Sequence, residues 1–495
     1  MNTKTRNLLF VAIFVVCMLA VALLLIFTQP GNEDEDEESQ TTVDTTIALF
    51  DGRSEDVASI NVKNESGEFT ISQDAKGFHI DELDGLDQNE TTLKAIANIA
   101  TSMKAQTLAE EDAEDLSKYG LEEGEEVATS VVNLKDGSSY TIHYGIDAPD
   151  GLSKYIRIDD SRDVYVVLTN SAGYFYSPKE SYISLIVQQG IASESVAPTI
   201  DHMVITRKDL DYDIEFIDDS KKYSADEVSM ASSQVMISPV YAYLDIVNSN
   251  SIIYGLWGLT AVEAVKAFPT EEDMEEYGLA DPFCSVVINA ELQTYDLKIG
   301  NVESYVLDED GNETTEPAYF YGYYEGVDVI FLFSSESVPW ATFQPIDILS
   351  SLVTSNYVMR LDYIDVQLHN TEDINYYFDV TGDLDAGELS VTLDGEPKDT
   401  EDFKLMYQFM LKCPIDDICL EDPPADAKLL ARIEYVLDGG GGDVVEYYDG
   451  GANTVIIKLN GTTSFSQPKS YLDVLESNLA LFASGASGEE LQMIW

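Results

Sequence analysis

Cysteine, histidine and basic residues are what this chain has least of, and each scarcity excludes something. Of four cysteines in 495 residues, Cys17 lies inside an N-terminal apolar run. Cys284, Cys413 and Cys419 remain, an odd number that cannot close a disulfide framework. We read Cys413 and Cys419 as buried thiols near a helix end, with a bridge between them as the alternative. Lys and Arg total 27 against 91 Asp and Glu, a formal net charge of -64. With no basic stripe to hold phosphates, nucleic acid is a poor partner, as is an anionic lipid surface. Such a field suits solubility, weak binding of divalent cations or a basic partner.

Catalytic signatures are absent as well. The four histidines, His79, His143, His202 and His369, each stand isolated in a strand-like stretch. His143 alternates with Ile142 and Tyr144 and should point away from the core. No His-Glu-x-x-His, paired Cys-x-x-Cys, Gly-x-Ser-x-Gly or phosphate-cradling glycine loop occurs, so no nucleotide site is expected. No catalytic, cofactor or metal residue is assigned. Two acidic stretches, Asp308–Glu313 and Asp379, Asp383, Asp385 and Glu388, have the composition of calcium loops, but Gly311 and Gly387 are misplaced for an EF-hand. They read as acidic hairpin turns with weak Ca²⁺ binding at most. The aromatic run from Tyr319 to Tyr324 reads as a strand that packs one of its faces inward.

What is present starts with an anchor. After Lys4 and Arg6, every residue from Leu8 to Phe27 is apolar, long enough at ~1.5 Å per residue to span ~30 Å of hydrocarbon. We assign residues 1–7 to the cytoplasm, 8–28 to a transmembrane helix, and the bulk to the outside, where every acidic residue would then lie. A cleaved signal peptide is the rival. Residues 29–53, with six acids in a row from Glu33 to Glu38, read as an extended acidic stalk.

The rest repeats. Asp115-Leu116-Ser117-Lys118-Tyr119-Gly120-Leu121 returns as Glu275-Glu276-Tyr277-Gly278-Leu279. Around the first copy, Ile60/Val62, Phe69/Ile71 and Phe78/Ile80 alternate as three strands. Leu93 to Met103 marks an amphipathic helix capped by Thr91 or Asn89. Strands follow at 127–134, 139–144, 155–158 and 164–168, and Ser177–Tyr182 opens a closing helix through Val187. The second copy has strands at 203–207 and 212–217 and a helix over Ser251–Phe268. Further strands run over 283–289, 294–299, 318–324 and 327–333, with Gly300 standing where Gly145 stood. The third copy lacks Tyr-Gly-Leu. Pro414 and Asp422-Pro423-Pro424 occupy that region, and Ser466–Tyr471 echoes Ser177–Tyr182. The expected fold is α+β: three tandem domains, 54–190, 199–355 and 359–483, each an antiparallel sheet on one or two helices, and a tail over 484–495. Gly120 and Gly278 are expected at positive φ, with the flanking Tyr and Leu as core plugs.

The short basic start, single apolar helix and acidic stalk, followed by the meander, helix, Leu-Ser-Lys-Tyr-Gly-Leu and the hairpin around Lys135-Asp136-Gly137, resemble the bacterial domain-of-unknown-function family 4340. Val131–Gly137 and Ser139–Gly145 are especially similar. The resemblance implies a single-pass surface protein, often associated with ABC-type exporter components, and it brings no catalytic residues. Phe78 departs from a common Trp, and the third copy departs in the central motif. The function expected is therefore a membrane-anchored, non-enzymatic accessory or scaffold of a transporter or envelope assembly. A hydrolase of cell-wall polysaccharide and a divalent-cation-dependent adhesion module are the alternatives.

Overall fold

The computed structural model describes residues 46–192, 198–220 and 232–494. The expected cytoplasmic start and transmembrane helix, and the stalk as far as residue 45, lie outside them. Among the described residues no helix is long and apolar enough to cross a membrane.

Alternation of apolar and polar residues produces three large sheets. In the first, β1 (Val57–Asn64), β2 (Gly67–Gln73) and β3 (Phe78–Ile80) form a meander, and α1 (Glu90–Ser102) follows. Asn89 caps α1, its side chain accepting from the Thr92 amide, while Leu93, Ile96, Ala97 and Ala100 bury one face. The chain crosses to β4 (Thr107–Glu110). It then returns through β5 (Ala128–Leu134), β6 (Ser139–Asp147), β7 (Ser153–Ile158) and β8 (Val164–Leu168). The sheet order is β3-β2-β1-β5-β6-β7-β8-β4, antiparallel wherever strands meet.

The second module repeats the plan with β9 (Ile200–Arg207), β10 (Ile214–Asp218), β11 (Gln234–Ser238), β12 (Ala242–Tyr243), α2 (Asn250–Tyr254), β13 (Glu263–Ala267) and α3 (Glu271–Glu276). It is completed by β14 (Cys284–Ala290), β15 (Gln293–Leu307), β16 (Glu313–Tyr324) and β17 (Val329–Ser334). The third has β18 (Leu361–Leu368), β19 (Ile374–Asp383), β20 (Glu388–Leu393), β21 (Glu396–Pro397), α4 (Thr400–Leu411) and β22 (Asp417–Ile418). β23 (Leu429–Leu437), β24 (Gly442–Gly451), β25 (Thr454–Leu459), β26 (Thr462–Pro468) and α5 (Ser470–Ser484) follow. Their orders, β12-β11-β10-β9-β14-β15-β16-β17-β13 and β21-β20-β19-β18-β23-β24-β25-β26-β22, match the first strand for strand, with one extra edge strand each. This is sheet-rich α+β. Residues 48–495 form one compact unit, and one apolar cluster runs through it from Val57 to Leu491.

Two sequence expectations need correction. The helix expected over Ser251–Phe268 is a five-residue α2, a strand β13 and a six-residue α3. Gly258 at φ 100° breaks the helix, and Val262 and Val265 favour the strand that follows. The closing helix after Ser177 is a single 3-10 turn, Lys179–Tyr182, because the backbone beyond it is needed for pairing between modules. The counterpart after Ser466 continues instead as the fifteen-residue α5.

That pairing is the same at both junctions. Within module 1, Asn89 N–H donates to Tyr182 O (2.8 Å) and Ser184 N–H to Asp87 O (2.8 Å). The same strand then reaches module 2, where Ala261 N–H donates to Leu185 O (2.8 Å) and Val187 N–H to Leu259 O (2.9 Å). One module later the four bonds recur. Asp245 donates to Ile348 (2.9 Å), Ser350 to Tyr243 (2.8 Å), Cys413 to Ser351 (2.7 Å) and Val353 to Leu411 (2.8 Å).

Candidate functional site

The repeated Tyr-Gly-Leu is a helix C-cap. Gly120 and Gly278 take φ 64° and 72°. The Gly120 amide donates to Ser117 O and the Leu121 amide to Leu116 O; Gly278 and Leu279 do the same to Glu275 O and Met274 O. These two bonds to successive carbonyls define the Schellman motif, with the usual apolar contact here between Leu121 and Leu116.

A second glycine completes each cap. A Cβ on Gly145 would lie 2.1 Å from Tyr119 O, and one on Gly300 2.3 Å from Tyr277 O. Backbone meets backbone at both places, so neither position admits a side chain. The counterpart in module 3 is Tyr448, because Ala431 pairs Tyr447 there as Ala128 pairs Tyr144. With no Tyr-Gly-Leu turn over it, the position is free to carry a ring.

The tyrosines do not plug the core, as the sequence reading had them. Tyr119 lies edge-on against Tyr155 (4.7 Å, 62°) and Tyr277 against Tyr321 (4.7 Å, 64°). Both pairs are half-buried on the outer sheet face. Leu121 is fully buried, but in a small satellite cluster with Ala113, Leu116 and Val164. Tyr155 and Tyr321 were missed as partners; their matching places in the return meanders were the available signal.

His143 does leave the core, yet it is not isolated. Its Nδ1 lies 2.9 Å from Glu126 Oε1, and Arg157 reaches the same oxygen at 3.2 Å. The Arg157 Nε–H donates to Leu121 O (3.0 Å), so this cluster fastens the cap to the sheet. Burial pushes the Glu126 carboxyl up, but amides of Glu126 and Gly124, together with His143, outweigh it and hold it below the usual carboxylate range. Burial and then the Arg157 charge press His143 below its usual value. A neutral imidazole, an ionised carboxylate and a guanidinium are held together around Glu126 Oε1. In module 3 the turn at Asp422 is held comparably, by Lys458 at 2.7 Å and the Thr463 hydroxyl at 2.6 Å.

The other histidines are partnered too: His79 with Asp81 (3.3 Å), His202 with Glu215 (2.9 Å) and His369 with Asp373 (2.8 Å). In the acidic hairpins, Asp308 Oδ1 accepts from the amides of Asp310 and Asn312, and Asp383 Oδ1 from those of Asp385 and Ala386. Their carboxylates are spent on turns. Among the described residues no three His, Cys, Asp or Glu side chains converge on a metal position. In the aromatic run, Phe320, Gly322 and Tyr324 are buried while Tyr319, Tyr321 and Tyr323 are half-buried. Cys284, Cys413 and Cys419 are free thiols, and Cys413 lies two residues past α4. Cys284 and Cys413 are buried and Cys419 is half-exposed.

This geometry defines a class: a tandem protein of sheet-and-helix modules whose repeated motif is structural. Residues 79–182, the greater part of module 1, match the family described as Domain of unknown function (DUF4340). No curated protein and no solved structure matches the chain.

Proposed function

We propose that the protein is a membrane-tethered, non-enzymatic scaffold whose three modules stand outside the cytoplasmic membrane and engage a transporter or envelope assembly. The observation that carries this reading is the junction. Two main-chain bonds cross each junction, Ala261 to Leu185 and Val187 to Leu259 at the first and Cys413 to Ser351 and Val353 to Leu411 at the second, and a shared apolar cluster backs them. Such coupling suits a part that holds others at fixed positions. The polar groups of catalytic type fit this reading, since Glu126, His143 and Arg157 are consumed in fastening a cap. The apolar run Leu8–Phe27 supplies the tether and the like-charged residues after it a spacer. The exporter-type partner rests on the family resemblance of module 1.

Affinity purification of the full chain from gently solubilised membranes tests the reading. Co-purifying transport or envelope subunits are expected. Recovery of the chain alone, under conditions that keep other membrane complexes intact, would refute it.

A further inference from the structure

The hairpin of β15 and β16 outgrows its counterparts. Its strands hold 15 and 12 residues, against nine and six in β6 and β7 and ten and six in β24 and β25. The surplus lies beyond the sheet. Pairing of β14 with β15 ends at Cys284 and Ile299, and pairing of β16 with β17 ends at Tyr319 and Ser334. Past those points Ser335 still holds the carbonyls of Pro317 and Ala318. Among the described residues, 302–307 of β15 then pair only with β16, and 313–316 of β16 only with β15. The result is an arm of roughly 20 Å at ~3.3 Å per residue.

Two features set this arm apart from a solvated turn. Tyr305, Val306 and Leu307 are 39%, 38% and 60% exposed. Successive strand residues point to opposite faces, so exposure of all three means that neither face of the ribbon is covered. A two-stranded ribbon is only marginally stable by itself in water, and here its apolar residues find nothing in this chain to pack against. The second feature is charge. Six of the residues from 303 to 316 are Asp or Glu, and none is Lys, Arg or His. Four of them, Asp308, Glu309, Asp310 and Glu313, stand exposed at the tip, beyond the apolar residues.

These features together select the occupant. A bilayer would have to take up the tip carboxylates before it reached Leu307, and their desolvation opposes that. A second copy of this chain brings its own net charge of -64 and would set carboxylate against carboxylate. The register shifts of the arm and Pro317 also blunt its edges against strand addition. A flat partner would cover one face of the ribbon and leave the other wet, whereas a groove covers both.

We propose that the arm of module 2 lies through a groove of a partner protein with apolar walls and with Lys and Arg at its rims. Tyr305, Val306 and Leu307 sit between the walls. The tip carboxylates emerge at the far rim, and Glu303 and Glu316 meet the near one. An apolar centre with a charged rim is the common anatomy of protein interfaces, and tyrosine is among the residues that anchor them. The proposal rests on the scaffold reading above and names the surface that does the holding.

Photo-cross-linking of the full chain in intact membranes tests this, with Leu307→benzoylphenylalanine as the probe. The control is the same substitution at Leu292, a fully exposed leucine on the turn between β14 and β15. An adduct to a different polypeptide is expected at 307, in at least about tenfold the yield at 292. Glu309→Lys combined with Glu313→Lys should lower that yield at least about tenfold, and so should Tyr305→Ser, the loss that one buried apolar side chain supplies. Because these side chains are exposed, each variant should melt within a degree or two of wild type. An adduct to lipid or to a second copy, equal yields at 307 and 292, or a yield indifferent to charge reversal would overturn the proposal. Affinity purification keeps two failures apart. Subunits recovered equally by wild type and by a Tyr305→Ser, Leu307→Ser chain overturn the arm and leave the scaffold reading standing, whereas a wild-type chain recovered alone refutes both.

Discussion

Placing a methyl group on Gly145 tests the cap most directly. The Cβ of Gly145→Ala would start 2.1 Å from Tyr119 O, whereas a relaxed contact needs about 3.5 Å. The obstruction is a backbone carbonyl held in the Schellman turn, with Leu121 N–H on Leu116 O and Arg157 on Leu121 O. It cannot swing aside as a flexible side chain would. The turn must lift or β6 must bend, and overpacking of this kind costs about 1–3 kcal/mol. Gly124→Ala is the control, since Gly124 also has positive φ (85°) but a Cβ there meets nothing within 4 Å. It should show only backbone strain, of about 1 kcal/mol. Thermal melting of the two variants, with hydrogen exchange read at the Leu121 amide, separates the effects. Gly145→Ala should melt lower than Gly124→Ala and expose Leu121 to fast exchange; Gly300→Ala should do the same at Leu279 in module 2. If Gly145→Ala melts like wild type with Leu121 still protected, the close approach of the two backbones carries no weight and the reasoning is wrong.

Other expectations follow from the same geometry. Arg157→Ala leaves the Glu126 carboxylate and Leu121 carbonyl without their partner, and breaking so buried a pair should cost about 3–5 kcal/mol, read by urea unfolding. Because the folded state holds His143 below its ordinary value, the unfolded chain binds more protons there. Stability is therefore full above pH 6.5 and lost as pH falls, with Glu126 adding to the loss below its own ordinary range. The urea midpoint of wild type should drop between pH 6.5 and 5, and that of His143→Gln should stay flat. Burial pushes the Cys284 thiol up to about 12 and the Cys413 thiol higher still. Iodoacetamide should label half-exposed Cys419 first, as mass spectrometry would report, and labelling of Cys413 at equal speed would contradict its burial. Asp399 caps α4 through the amides of Glu401 and Asp402, so Asp399→Ala should cost about 1 kcal/mol in thermal melts.

Much of this architecture was legible in the sequence, and the exceptions have physical causes. Strands such as Val57–Asn64 and Ala128–Leu134 announce themselves because one face is buried and the other wet, which forces alternation. The cap on α1 was visible because only a few side chains can accept from a helix's first amides. Ser251–Phe268 misled because its apolar residues fit a helical period, while Gly258 and the need for an edge strand beside β17 decided otherwise. The contacts of Tyr119 could not be read locally: Tyr155 is distant in sequence, and only the sheet's register brings the rings together. The cluster of Glu126, His143 and Arg157 escaped for the same reason, since its members come from a loop and two strands.

The bonds that recur at both junctions are main chain to main chain, and this bears on the protein's history. Bonds between peptide groups set no demand on side chains, so a duplicated module has its register on its predecessor from the moment it arises. Its surfaces are then at liberty to drift. That liberty accounts for a third copy that has exchanged the Tyr-Gly-Leu cap for a proline turn, while its strand order and its docking bonds stayed as they were. Lengthening the array by one further copy would, on this principle, require no new chemistry at the seam.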